Sequence, residues 1–257
     1  MRVSEIYNKL DELYPFRISD EYIKIYGGYD NSGIIIDLNN EVQKIVFSLD
    51  FSNNTVEKAI FEKADLIITH HPAIYNPIKS LSKNQITGGN IIKAIQNNIS
   101  VISMHLNCDF ARGGIDQTLA KLFNPKNIKI LQPIEQDTGY GRICEIEENS
   151  LEHLALLVKQ EIMSDKIITY GKNEKIRRIA VFCGGGFEGE FFDKIQVDLI
   201  ISSDFRHHLI AEALERKISV MDITHYGAEN YSFKKIYRET KDFLNIDSIY
   251  FEDKNLL

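Results

Sequence analysis

The chain has 257 residues, 44% of them hydrophobic and 26% charged, with a formal net charge of −7 and a pI near 5.6. That length suits one large α/β domain or two modest ones, and the acidic balance, with no block of Lys or Arg, excludes nucleic-acid or membrane-surface binding driven by bulk charge. No apolar run approaches the roughly 20 residues of a membrane span. Cys108, Cys144 and Cys183 lack CxxC spacing and indicate neither a disulfide framework nor a thiolate zinc site, so a reducing cytoplasm is the expected setting.

In chain order, Val3, Ile6, Leu10 and Leu13 fall on one stripe of an amphipathic helix. Short β-rich runs then alternate with helical stretches: strands at 43–49, 65–70 and 99–105, with helices around 55–63 and 88–97. Such alternation predicts parallel strands with helices packed on the sheet. The stretch 126–176 has a different texture, with Pro133, a Gly139-Tyr140-Gly141-Arg142 turn and a helix over 151–162, and is expected to connect two halves and pack on the core. From Arg177 the first rhythm returns. The expected architecture is α/β: two related, interlinked halves, 1–125 and 177–257, with mainly parallel sheets and a metal site between them. An internal echo supports the relation, since ADLIIT (64–69) matches VDLIIS (197–202) and NISVISMH (98–105) matches KISVMDITH (217–225).

The polar residues at the strand exits carry the candidate chemistry. His70 and His71 follow an apolar strand, at the carboxyl end where open α/β sheets place ligands, and Pro72 restricts His71 to extended geometry. Neighbouring side chains on an extended backbone point to opposite faces, so the two imidazoles can serve one metal each. Asp109 lies past the next strand, in His105-x-Asn107-x-Asp109, and His225-x-x-x-Glu229 stands at the corresponding exit of the second half. These five mixed N/O donors suit two divalent first-row ions such as iron, zinc or manganese, with Glu229 the natural bridge. Two such ions can clamp an oxyanion and activate a shared water, with His105 acting behind the ligands or as a proton relay. Each piece also has a plain structural reading: Asp109 as a helix cap, His225 and Glu229 as a surface pair. Gly184-Gly185-Gly186 is either a phosphate cradle or a tight turn beside the site. Asp204, Arg206, His207 and His208 read as a solvated helix start from which Arg206 or His208 could reach an anion.

The blocks DLIITHHPAIYNPIKSL (65–81), MHLNCDFARGGIDQTLA (104–120), GYGRICEI (139–146) and DLIISSDFRHHLIAEAL with VMDITHYGAE (198–229) resemble the NIF-three-like dinuclear metal-centre proteins, many of them described as GTP cyclohydrolase I type 2 homologues. YDNSGIIID (29–37) resembles that family's Trp-Asp-Asn-x-Gly segment, with Tyr29 at the aromatic position. The resemblance implies His70, His71, Asp109, His225 and Glu229 as ligands of two metal ions, a toroidal homohexamer, and a metal-dependent hydrolase that opens the guanine ring of a nucleotide. The alternatives are a non-catalytic metal-binding scaffold or regulator and a metal-dependent phosphoesterase. The chain departs from the family pattern at Ser202-Ser203-Asp204, Thr224 and Cys144, none of them an implied ligand.

Overall fold

The computed structural model describes residues 1–172 and 175–256. It is a mixed α/β fold with two sheets, and the chain divides into two compact units: residues 1–111 with 233–256, and residues 112–232.

The first unit opens with α1 (Val3–Leu13), whose apolar stripe buries Val3, Ile6 and Leu10, and α2 (Arg17–Tyr26). Its sheet is built from β1 (Gly33–Ile36), β2 (Lys44–Ser48), β3 (Leu66–Thr69), β4 (Ser100–Ser103) and β11 (Asp247–Phe251), in the order β1-β4-β3-β2-β11. All contacts but β1 with β4 are parallel. Strand β3 is buried at every position, as expected of a central parallel strand covered on both faces. Helices α3 (Asn53–Glu62) and α4 (Ile86–Gln96) supply the crossovers, and Val56, Ala59, Ile91 and Ala94 meet Val46, Ile67 and Val101 in one apolar cluster. Ser52 caps α3 by accepting from the Thr55 amide. A short helix, α5 (Leu106–Phe110), follows β4.

The second unit holds α6 (Ile115–Lys121), a long hairpin of β5 (Asn127–Glu135) and β6 (Thr138–Asn149), α7 (Leu151–Ile162), β7 (Ile168–Tyr170), β8 (Ile176–Val181), β9 (Leu199–Ser202), α8 (His207–Glu215) and β10 (Ser219–Asp222). Its sheet runs β5-β6-β8-β9-β10-β7. The core trio β8, β9 and β10 is parallel and the outer pairs are antiparallel. Gly139-Tyr140-Gly141-Arg142, expected as a turn, lies inside β6. Its glycines lie within the strand without ending it: Gly139 has φ +141° and Gly141 φ +72°, and a Cβ on Gly139 would strike the Gln132 carbonyl oxygen across the hairpin. Helix α9 (His225–Leu244) starts in this unit, and the boundary after Ser232 falls within it.

The sequence echo corresponds to a shared hydrogen-bonding device. Asp65, just before β3, donates its amide to the Lys44 carbonyl, accepts from the Gln43 and Lys44 amides through Oδ2 at 2.8 and 3.1 Å, and takes the Ser100 amide on its carbonyl. Asp198, just before β9, does the same with the Arg178 carbonyl, the Arg177 and Arg178 amides at 2.8 and 2.9 Å, and the Ser219 amide. In each unit one aspartate ties the starts of three parallel strands and fixes their register.

Candidate metal centre

In the first unit, β3 delivers His70 and His71 to the sheet's carboxyl end. The His70 amide reaches the Ser48 and Leu49 carbonyls and the His71 amide reaches Leu49 at 2.9 Å, so the backbone is clamped as it leaves the strand. The Thr69 hydroxyl bonds the His71 carbonyl oxygen and the Ser103 hydroxyl, both at 2.8 Å. The His70 ring is fully buried, 5.6 Å from the Phe233 ring. Its Nδ1 lies 2.8 Å from the Met104 carbonyl oxygen, which only accepts, so Nδ1 carries the proton and Nε2 keeps its lone pair. That Nε2 lies 3.5 Å from Oδ1 of Asp109, a buried carboxylate on α5.

His71 and His105 are held the same way by carboxylates. His71 Nδ1 is 2.7 Å from Asp50 Oδ1, and His105 Nδ1 is 2.7 Å from Asp30 Oδ1. The other Asp30 oxygen accepts from Ser19 at 2.5 Å and Ser32 at 2.6 Å. Burial alone would raise the Asp30 pKa. The hydrogen bond and charge of His105, with the two hydroxyls, outweigh it and hold the carboxyl at about 2. Burial pulls His105 down, and its bond to Asp30 with the charges of Asp109 and Asp30 carries it above the ordinary imidazole value. Ligand atoms of His70, His105 and Asp109 lie within 4.8 Å of one another, close enough to hold one ion. His71 adjoins them, its ring 4.9 Å from that of His70 and 5.9 Å from that of His105.

In the second unit, His225 is the first residue of α9 and Glu229 stands one turn later, so the helical repeat puts them on one face with Nε2 3.0 Å from Oε2. His225 Nδ1 is 2.7 Å from Asp204 Oδ2. Thr224 (φ +57°) and Asp204 (φ +52°) both take left-handed backbone to set this up. The triple glycine passes the same residues. A Cβ on Gly184 (φ +56°) would lie 2.8 Å from Glu229 Oε1, one on Gly185 3.1 Å from Asp204 Cβ, and one on Gly186 would collide with the Tyr140 hydroxyl. The run is therefore a close-packed turn. Behind it, buried Asp116 accepts from the Gly141 amide at 2.6 Å and the Cys183 amide at 2.7 Å, and buried Arg142 lies 3.6 Å from the same carboxylate. Arg206 pairs with Glu188 at 2.6 Å, and His207 and His208 are exposed on the first turn of α8.

All four histidines in these groups thus present Nε2, with Nδ1 held by a backbone carbonyl or a carboxylate, the arrangement expected behind a metal-binding imidazole. Asp30 and Asp50, two of those carboxylates, were absent from the candidate set. Asp50 had one legible signal, an acid at the exit of an apolar strand, and Asp30 sits in the YDNSG segment.

The family pattern described as Duf34/NIF3 (NGG1p interacting factor 3) matches residues 1–255. The chain belongs to the Duf34/NIF3 family. Among curated members of the family, the GTP cyclohydrolase 1 type 2 homolog of Campylobacter jejuni is 32% identical over 246 residues, covering 94% of this chain and 93% of its own. That of Clostridium perfringens is 28% identical over 255 residues, covering 96% and 94%. Among solved structures, a hypothetical protein of Staphylococcus aureus superposes with a TM-score of 0.85 at 25% identity over 98% of this chain and 97% of its own. Reduced HcgD from Methanocaldococcus jannaschii gives 0.84 at 25% identity over 98% of each. Among the described residues of this Duf34/NIF3 chain, no helix is long and apolar enough to cross a membrane.

Proposed function

We propose that the chain holds two divalent metal ions, drawn from iron, zinc or manganese, with His70, His71, Asp109, His225 and Glu229, and uses them as a metal-dependent hydrolase on a nucleotide. The observation that carries the metal reading is the common pinning of Nδ1 in His70, His71 and His225, the three histidines of that set, which leaves Nε2 as the donor at each. Imidazole nitrogens with nearby carboxylates form a donor set that fits borderline divalent ions. A bound divalent ion would supply Lewis acidity and lower the pKa of water.

The chain's own residues orient and move protons. The Met104 carbonyl and Asp50 fix the tautomers and ring planes of His70 and His71, and Asp204 does so for His225. His105, tied to Asp30 and with a raised pKa, is suited to hold a proton at Nε2 beside Asp109 and deliver it to a leaving group. The nucleotide substrate rests on the relatives named GTP cyclohydrolase 1 type 2 homologs, the homohexamer on the resemblance set out above, and the cytoplasmic setting on the three cysteines without disulfide or CxxC spacing.

The test is to load the purified protein with manganese, iron or zinc, supply GTP, and follow formate and phosphate separately. Formate release supports ring opening. Phosphate release without formate moves the activity to phosphoester hydrolysis, and neither product across a nucleotide panel returns the protein to a binding or regulatory role. Light scattering gives the mass of the assembly, for which six chains are expected.

A further inference from the structure

Residues 70–85, between β3 and α4, form neither helix nor strand, and connections that long are uncommon in compact domains. It starts with the two donor histidines and then presents Tyr75, 45% exposed. The Tyr75 ring packs edge-to-face on that of Tyr29, itself 46% exposed, with centroids 5.4 Å apart and planes at 89°. Two hydrogen bonds tie the segments together: the Tyr75 hydroxyl donates to the Tyr29 carbonyl oxygen at 3.2 Å, and Asn31 Nδ2 donates to the Ile74 carbonyl oxygen at 2.5 Å. On its other side the Tyr75 ring stands 6.3 Å from the His105 ring, at 90°.

Two large aromatic rings left half in water, yet held by hydrogen bonds at both segments, are rigid apolar surface beside a donor group. Each offers a flat face to whatever binds beside His105. The Tyr75 ring, 6.3 Å from that of His105, puts this aromatic surface within one ring's reach of the imidazole. A ring on this wall gains stacking and loses little side-chain entropy, because the tyrosines are already fixed.

We propose that Tyr29 and Tyr75 form the subsite for the planar heteroaromatic ring of the substrate, so that the chain selects base-bearing nucleotides over phosphate compounds without a ring. This rests on the nucleotide reading above and adds the residues that make the selection.

The experiment measures equilibrium binding of guanosine and of inorganic tripolyphosphate to metal-free and manganese-loaded protein, for wild type, Tyr75→Ala and Tyr75→Phe, with metal content and thermal midpoint recorded for each. Expected is a loss of guanosine affinity of roughly tenfold or more in Tyr75→Ala, most of it restored in Tyr75→Phe, with tripolyphosphate binding and metal content unchanged. Equal guanosine affinity in wild type and Tyr75→Ala, at unchanged metal content and midpoint, overturns the subsite while leaving the metal reading intact. So does an absence of saturable guanosine binding by the wild type. Conversely, Tyr75-dependent guanosine binding by a protein that takes up no metal supports the subsite and removes the metal-dependent hydrolase.

Discussion

The two units set their histidines on different backbone supports, although a carboxylate holds Nδ1 of His71 and His105 in the first and of His225 in the second. In the first, donors leave the ends of buried parallel strands: the His70 ring is wholly inside, pinned by a backbone carbonyl, and the His70 and His71 amides are clamped to the preceding strand. In the second, His225 is 37% exposed at a helix start and is pinned by Asp204, itself 63% exposed, with left-handed backbone at Thr224, Asp204 and Gly184. The same sheet-start device, Asp65 in one unit and Asp198 in the other, underlies both. Their strand exits differ. The first set is built into the sheet, whereas the second depends on a turn held in shape by its neighbours, and substitutions that loosen that turn separate the two.

The largest effect is expected from Asp116→Ala. Asp116 ties the Gly141 and Cys183 amides and faces buried Arg142, so its loss leaves a buried guanidinium beside the vacated position and frees the strand that leads into the glycine turn. A loss of about 3–5 kcal/mol of unfolding free energy is expected in a denaturant titration. Hydrogen exchange should localise the loosening to residues 112–232, while a uniform change over both units would show that the turn has no separate support.

Gly184→Ala acts more narrowly. A Cβ there meets Glu229 Oε1 and carries a left-handed backbone penalty, for a cost of about 1–3 kcal/mol. Manganese affinity should drop about tenfold as Glu229 and His225 are pushed aside. Unchanged affinity would mean that these two side chains are not ligands.

Asp30→Asn probes the first unit by pH. Asp30 is held at about 2, below the ordinary carboxylate value near 4, so its stabilisation is fully present above about pH 4 and is lost as the pH falls through about 2. The variant is expected to lose about 2 kcal/mol at neutral pH and to show a flatter dependence of thermal midpoint on pH between 4 and 2 than the wild type. Parallel curves for the two proteins would show that Asp30 is not the acid-sensitive clamp on His105.

Much of this was readable in the sequence where burial is complete. Strands β3 and β9 are continuous apolar runs because both faces are covered, and the exit of β3 points to His70 and His71. Less legible were elements defined by distant partners. Strand β11 pairs with β2 from the far end of the chain, and its DSIYF sequence, half exposed, carries little apolar pattern of its own. In β6 the glycines looked like chain reversals, although close approach of the opposite strand is what requires Gly139. The carboxylates behind the histidines were hidden for a related reason. Asp30, Asp50 and Asp204 lie 75, 21 and 21 residues from the imidazoles they hold, so no local spacing reveals the pairs.

The central proposal is the five-residue ligand set. Its most direct test is the metal content per chain of wild type, Asp109→Ala and Glu229→Ala after manganese loading and gel filtration, with circular dichroism confirming that each is folded. Two equivalents are expected in the wild type and fewer than two in each variant. Two full equivalents retained by either variant, or none bound by the wild type, would contradict it.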